Sequence, residues 1–159
     1  MTSSQTQVEY NKALVRPYYA EVANTTAPDT AIAGAERLLT SDFTFYTLND
    51  AEGQSGLDVH KGFLVWHHGV SPDQQSTIED MLAEGDKVAV RFTICGTQQG
   101  EFHGVAPMGK PFILLGMDLF RIAESKIAEL RRFFDLLVML EQLGARSLPG
   151  RDQGELRDE

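Results

Sequence analysis

Apolar positions keep a helical spacing through the first third of the chain and then change to alternation. From Val8 to Ala23 the residues Val8, Leu14, Val15, Tyr18, Tyr19 and Val22 recur at the spacing of one helix face. Pro17 lies inside that pattern and predicts a kink or break near Arg16. Asp29 is placed to cap a second helix running to about Leu39, with Ala31, Ile32, Ala35, Leu38 and Leu39 as its buried face. The aromatic and β-branched run DFTFYTL reads as a strand. A polar loop from Asn49 to Gly56 follows, and then a shorter helix from about Leu57 to Gly69. The second half reads as four strands, Ser76 to Ala83, Lys87 to Gln98, Phe112 to Ile122 and Lys126 to Phe134. Short or turn-like breaks separate them, which favours antiparallel neighbours.

Helices first and a meander of strands afterwards define an α+β domain, the helices covering one face of a strongly bent, mostly antiparallel sheet. The other face keeps apolar area, assigned here to residues including Leu130 and Phe134, and a second copy of the chain is the simplest cover, making a homodimer. Residues 1–7 are polar and expected to be loose, residues 8–145 form the single domain, and the polar tail 146–159 is expected to be disordered.

Composition narrows the function. A chain of 159 residues with 42% hydrophobic content holds one domain with a real core. A net charge of −9 argues against nucleic acid and anionic membrane as partners. No apolar run is long enough to span a bilayer, and MTSSQTQVEY lacks the regions of a secretory signal. Cys95 is the lone cysteine, so no internal disulfide forms and a reducing, cytoplasmic setting is the expectation. Metal is not expected: His60 and His67 lie two helical turns apart, His67 and His68 diverge, and no Cys or acid completes a ligand set. GVAPMGK lacks the spacing of a phosphate loop.

The candidate chemistry centres on FFDLLVMLEQLG, where Asp135 stands among Phe133, Phe134, Leu136, Leu137 and Val138. Two readings stand. An apolar setting raises a carboxyl pKa and suits it to moving protons, whereas Asp is also a favoured N-cap for the helical run LLVMLEQLG. By the period of two, Glu129, Arg131, Phe133 and Asp135 share one strand face, so Arg131 either orients a substrate oxygen or pairs with Glu129 on the surface. Asp118, in GMDLFRI, is a second unusual acid whose facing depends on the hairpin register. His103, in a loop able to close over a pocket, and Tyr46, in DFTFYTL, are further proton-transfer candidates. Trp66 on the third helix serves either the pocket or the core.

The stretches MLAEGDKVAVRFTICGTQQGEF, GKPFILLGMDLFRI and KIAELRRFFDLLVMLEQLG resemble the SnoaL-like polyketide cyclases of the nuclear transport factor 2-like superfamily. The resemblance implies a cone-shaped α+β fold around an apolar pocket. It also implies a cofactor-independent cyclase of secondary metabolism that closes a ring in a small, apolar, polyketide-like substrate by acid/base catalysis. The family's late aspartate, seven residues before the Gln of its QLG ending, matches Asp135 and Gln142. The departures are Arg131 where the family often has Trp, Gln98 where a His often follows Gly-Thr, and Glu124-Ser125 for the hairpin Asp-Gly. The resulting site assignment is Asp135, His103 and Tyr46 as catalytic groups and Arg131, Asp118, Trp66, Phe133 and Gln98 around the substrate, with no metal and no cofactor. Epoxide opening by paired carboxyls around a water, and small-molecule binding without turnover, are the alternatives on the same fold.

Overall fold

Strand alternation decides which side chains meet. Val88, Val90, Phe92 and Ile94 are buried, while Ala89, Arg91, Thr93 and Cys95 between them point to the other face. The same rule runs through the whole sheet of a computed structural model that describes residues 3–47 and 50–145. Helix α1 covers Ser3–Tyr18, α2 Pro28–Leu38, α3 Leu57–Val70 and α4 Leu136–Gln142. Strands β1 to β6 cover Leu39–Thr47, Gln54–Ser55, Gln75–Glu84, Lys87–Thr97, Pro111–Ala123 and Lys126–Phe134. The sheet order is β2-β1-β6-β5-β4-β3, and only β1 and β6 run parallel. The α+β architecture read from the sequence is the one observed.

Several boundaries move for identifiable reasons. The first helix starts at Ser3, where a loose segment was expected, and Gln7 Nε2 donates to Asn11 Oδ1 across one turn at 3.0 Å. It runs through Pro17, and the irregularity falls one turn later as a π-helical segment at Tyr19–Ala23. Asn24 closes that wide turn, its N–H donating to Tyr19 O at 2.9 Å, and its side chain exchanges two hydrogen bonds with the backbone of Ser76 on β3. Pro28 takes the first position of α2, with Ala27 at the cap position and Asp29 in the first turn. The tail 146–159 lies outside the described residues.

The helices lie on one face of the sheet, and the core between them includes Val15, Tyr18, Phe43, Phe92, Phe120 and Leu130. Leu130 is therefore core, and Phe134 also points inward, contrary to the outer placement expected from the sequence. The uncovered face instead carries Ile113, Leu115, Met117 and Phe133, each between 51% and 68% exposed. Among the described residues no helix is long and apolar enough to cross a membrane.

Candidate active site

A stripe of α3 faces the sheet with Phe63, Trp66, His67 and Val70, the spacing of one helical face. Opposite it, alternate positions of the strands supply Phe45 and Thr47 from β1, Ile94 from β4, Phe112 and Leu114 from β5, and Arg132 and Phe134 from β6. Met139 of α4 completes one wall, and Phe102 and His103 of the loop after β4 complete another. Together they enclose a cavity of about 100 Å³.

The loop after β4 is held on its own backbone. Gln98 N donates to Lys110 O at 2.9 Å, and Phe102 and Val105 bond each other across a turn whose tip, His103 and Gly104, has positive φ. Gly100 passes so close to α3 that a Cβ there would stand 2.4 Å from Gly69 O, so only glycine permits the approach. The turn after α3 is fixed as well: Asp73 Oδ1 accepts from Thr97 N at 2.9 Å and from Ser71 Oγ at 3.1 Å, and Gln74 N donates to Ser71 O.

Asp118 and Arg132 sit opposite each other in the β5–β6 register. Arg132 Nε donates to Asp118 Oδ1 at 2.8 Å and Nη2 to Oδ2 at 2.7 Å, a two-point pair. Tyr19 of the π-helical turn adds a third bond, its hydroxyl donating to Asp118 Oδ2 at 2.7 Å. Asp118 is 0% and Arg132 7% exposed. Burial works against the Arg132 charge, and the adjacent Asp118 carboxylate more than offsets it, so the guanidinium stays charged. Burial first, and then Asp118, push the Tyr19 phenol far above its usual range, and burial lifts Tyr18 to about 12, so both hydroxyls keep their protons. Asp118 itself stands behind the cavity, and Arg132 forms part of its wall.

Two histidines feel that guanidinium. Burial, followed by the Arg132 charge and His68, lowers His67 to about 4 against an opposing hydrogen bond with the Gln74 side chain. Burial, then Arg132 and His67, lowers His60 to about 3. His60 packs among Phe43, Phe45 and Phe63, and neither ring nitrogen has a hydrogen-bond partner. Both rings are neutral at pH 7.

The sequence-derived site is thus brought together only in part. Trp66 and His103 line the cavity, Trp66 at 44% exposed and stacked on Phe102. Asp118 acts behind it. Gln98 is buried but serves the loop, its Nε2 donating to Val105 O at 2.9 Å. Asp135 does not stand in an apolar wall: it is exposed, and its carboxylate accepts from Val138 N at 3.1 Å as the N-cap of α4. Tyr46 and Arg131 face away from the cavity, the guanidinium lying 3.7 Å from the Tyr46 ring centroid and also bonding Glu129. Phe133 is on that outer face too. Among the described residues no set of His, Cys, Asp and Glu is grouped to hold a metal ion. The groups that sequence reasoning missed are Arg132, Gln74 and Tyr19, and His67 was weighed only as a metal ligand.

The bent sheet with helices on one face, closed around a polar-floored apolar cavity, defines a cone of the nuclear transport factor 2 and ketosteroid isomerase type. The model of the SnoaL-like polyketide cyclases matches residues 13–143, and the chain belongs to that family. A candidate SnoaL-like polyketide cyclase from Jannaschia sp. CCS1 superposes with a TM-score of 0.80 at 23% identity, over 92% of this chain and 98% of that one. AclR, a candidate hydroxylase from Streptomyces galilaeus, gives 0.72 at 26% identity over 86% of each chain. IdmH, a candidate polyketide cyclase from Streptomyces antibioticus, gives 0.68 at 25% identity over 85% of this chain and 99% of that one. No curated protein matches the chain.

Proposed function

We propose that the protein is a cyclase-type enzyme that closes a ring in a polyketide-like substrate without a cofactor. The observation that carries this reading is the charged Arg132 guanidinium, held rigidly by Asp118 in the wall of an apolar cavity beside the neutral imidazole of His67. Ring closure of this kind removes a proton from a carbon between two carbonyls, forms a carbon–carbon bond to a third, and protonates the oxygen left behind. The product has the mass of the substrate. Arg132 stabilises the enolate oxygen as charge develops, and needs no reorganisation because Asp118 has already fixed it.

His67 takes the proton. Its low basicity reflects burial and then Arg132, and an enolate between the two turns that repulsion into attraction. The developing negative charge offsets the repulsion from Arg132 and raises the basicity of the imidazole as the proton moves. The imidazolium then returns the proton to the new alkoxide. The cavity of about 100 Å³ takes the reacting end of the substrate, and the remainder lies over the exposed ring of Trp66 and over His103 at the mouth.

A second reading, binding without turnover, is favoured by one observation: Asp135, the acid that the family resemblance points to, is a helix cap here. Epoxide opening by paired carboxyls is less supported, since no carboxylate is among the described residues lining the cavity.

The test is to incubate the purified protein with linear and polycyclic polyketide-like compounds and follow them by mass spectrometry. Conversion to an isomer of equal mass is expected, abolished to about 1% or less by His67→Gln and retained by Asp135→Ala. Gain of one water would restore the epoxide reading, and capture without conversion would establish the binding module. Loss of turnover in a folded Asp135→Ala variant would move the proton transfer to that carboxylate.

A further inference from the structure

The charge of the cavity runs against that of the molecule. The chain carries −9, yet among the described residues no Asp or Glu lines the cavity, and the one formal charge in its wall is that of Arg132. Asp118 takes the Nε and Nη2 donors, and Nη1 makes no hydrogen bond to a described residue. Arg132 lowers the basicity of His67, which shares the cavity wall with it.

Gln74 gives a second, independent sign. Its side chain is part of the cavity wall and only 6% exposed, and its Nε2 is buried without an acceptor among the described residues. The turn that carries it is tied by Asp73 to Thr97 and Ser71, so the amide is not free to swing out to water. A buried N–H group without an acceptor is costly, and a ligand oxygen relieves it. Size and shape add a third constraint. A cavity of about 100 Å³ is below the ~300–1,000 Å³ that encloses drug-sized ligands, and comparable to the ~150 Å³ that admits benzene. Its walls include the rings of Phe45, Phe63, Phe112 and Phe134.

Building on the reading of this cavity as the substrate site, we infer that it binds a compact planar oxyanion, an aryl carboxylate or the enolate of a cyclic 1,3-dicarbonyl of about one six-membered ring, with its oxygens on Arg132 and Gln74. The ring lies between the aromatic walls, and no carboxylate among the described lining residues competes for the guanidinium. The selection is for charge and for a short flat body, so a neutral molecule of the same outline binds poorly.

The chain holds a single tryptophan, Trp66, and it lines the cavity, so its fluorescence reports occupancy directly. The full chain is titrated at pH 7 with benzoate against benzamide, and with 1,3-cyclohexanedione against cyclohexanone. Saturable changes with the two anions, at least tenfold tighter than with their neutral counterparts, are expected. Gln74→Met keeps the volume and removes the donors; it is expected to weaken the anions about tenfold and to leave the neutral compounds within about twofold, with an unchanged circular dichroism spectrum. Equal affinity for neutral and anionic members, no saturation by tens of millimolar, or unchanged anion affinity in Gln74→Met would each overturn the inference. Anion preference without any isomer formed would remove the cyclase reading and leave this one standing. Isomer formation without anion preference would do the reverse.

Discussion

Asp118 and Arg132 are an ion pair taken out of water, and the penalty for that is several kcal/mol per ion. Three hydrogen bonds accepted by Asp118 offset it, two from Arg132 and one from Tyr19. Such a pair tolerates loss of one member badly. Asp118→Asn leaves the guanidinium buried without its counter-charge and is expected to lower the unfolding free energy by about 3–5 kcal/mol, read from urea denaturation. Asp135→Ala, by contrast, removes one cap bond and is expected to cost only about 1 kcal/mol. The two aspartates look equally odd in the sequence, each a lone acid in an apolar run. What separates them is a hydrogen-bond partner far along the chain in one case and three residues away in the other, and composition carries no sign of that difference.

At the level of elements, the sequence shows the order of helices and strands clearly, because long periodic runs such as Val88 to Ile94 admit one interpretation. The facing of Asp118 was harder to read because of a bulge. Glu124 and Ser125, both at positive φ, make a two-residue hairpin that pairs Ala123 with Lys126 and Ile122 with Ile127. Continued without interruption, that register would set Asp118 against Arg131. The register shifts between Ile122 and Arg121, so that Asp118 faces Arg132. Inward and outward faces of β6 exchange at that point, so Leu130 and Arg132 face the core while Arg131 and Phe133 lie outside. Alternation groups Arg131 and Phe133 with Asp135 correctly, and the capping role of Asp135 puts that set on the outer face. Glu124-Ser125 identifies the turn, but nothing in KIAELRRFF marks where the extra residue falls.

The contact between α3 and β1 also carries a pH dependence. His60 is neutral in the folded chain, with its pKa lowered from 6.5 to about 3. As pH falls below 6.5 the unfolded chain takes up this proton and the folded chain does not. Stability is therefore full above pH 6.5 and declines as pH falls toward 3, by up to about 1.4 kcal/mol per pH unit. Urea midpoints measured from pH 6.5 to 5, before most carboxylates titrate, are expected to drop in the parent chain and to drop less in His60→Phe.

For the whole molecule, the unsatisfied surface is the sheet face opposite the helices. Ile113, Leu115 and Met117 alternate along β5, and Phe133 pairs with Met117 from β6, forming one continuous apolar strip. A second copy of the chain is the expected cover, since the same apolar strip on two copies can pack about a two-fold axis. Light scattering after size exclusion is expected to give twice the chain mass, and Leu115→Asp with Met117→Asp to give the monomer with the fold retained, because both side chains point away from the core. A monomeric parent chain at tens of micromolar would remove that expectation.

The strands that form the cavity wall on one side carry this strip on the other, so adjacent codons answer to separate demands: Phe112 and Leu114 to the cavity, Ile113 and Leu115 to the surface. A lineage can therefore change its ligand by point substitution while its assembly stays constant, or the converse. Insertion or deletion of one residue within β5 or β6 has no such freedom. It would turn the pocket lining to the surface and the surface strip inward in one step, so divergence in this part of the gene is expected to proceed by replacement at constant length.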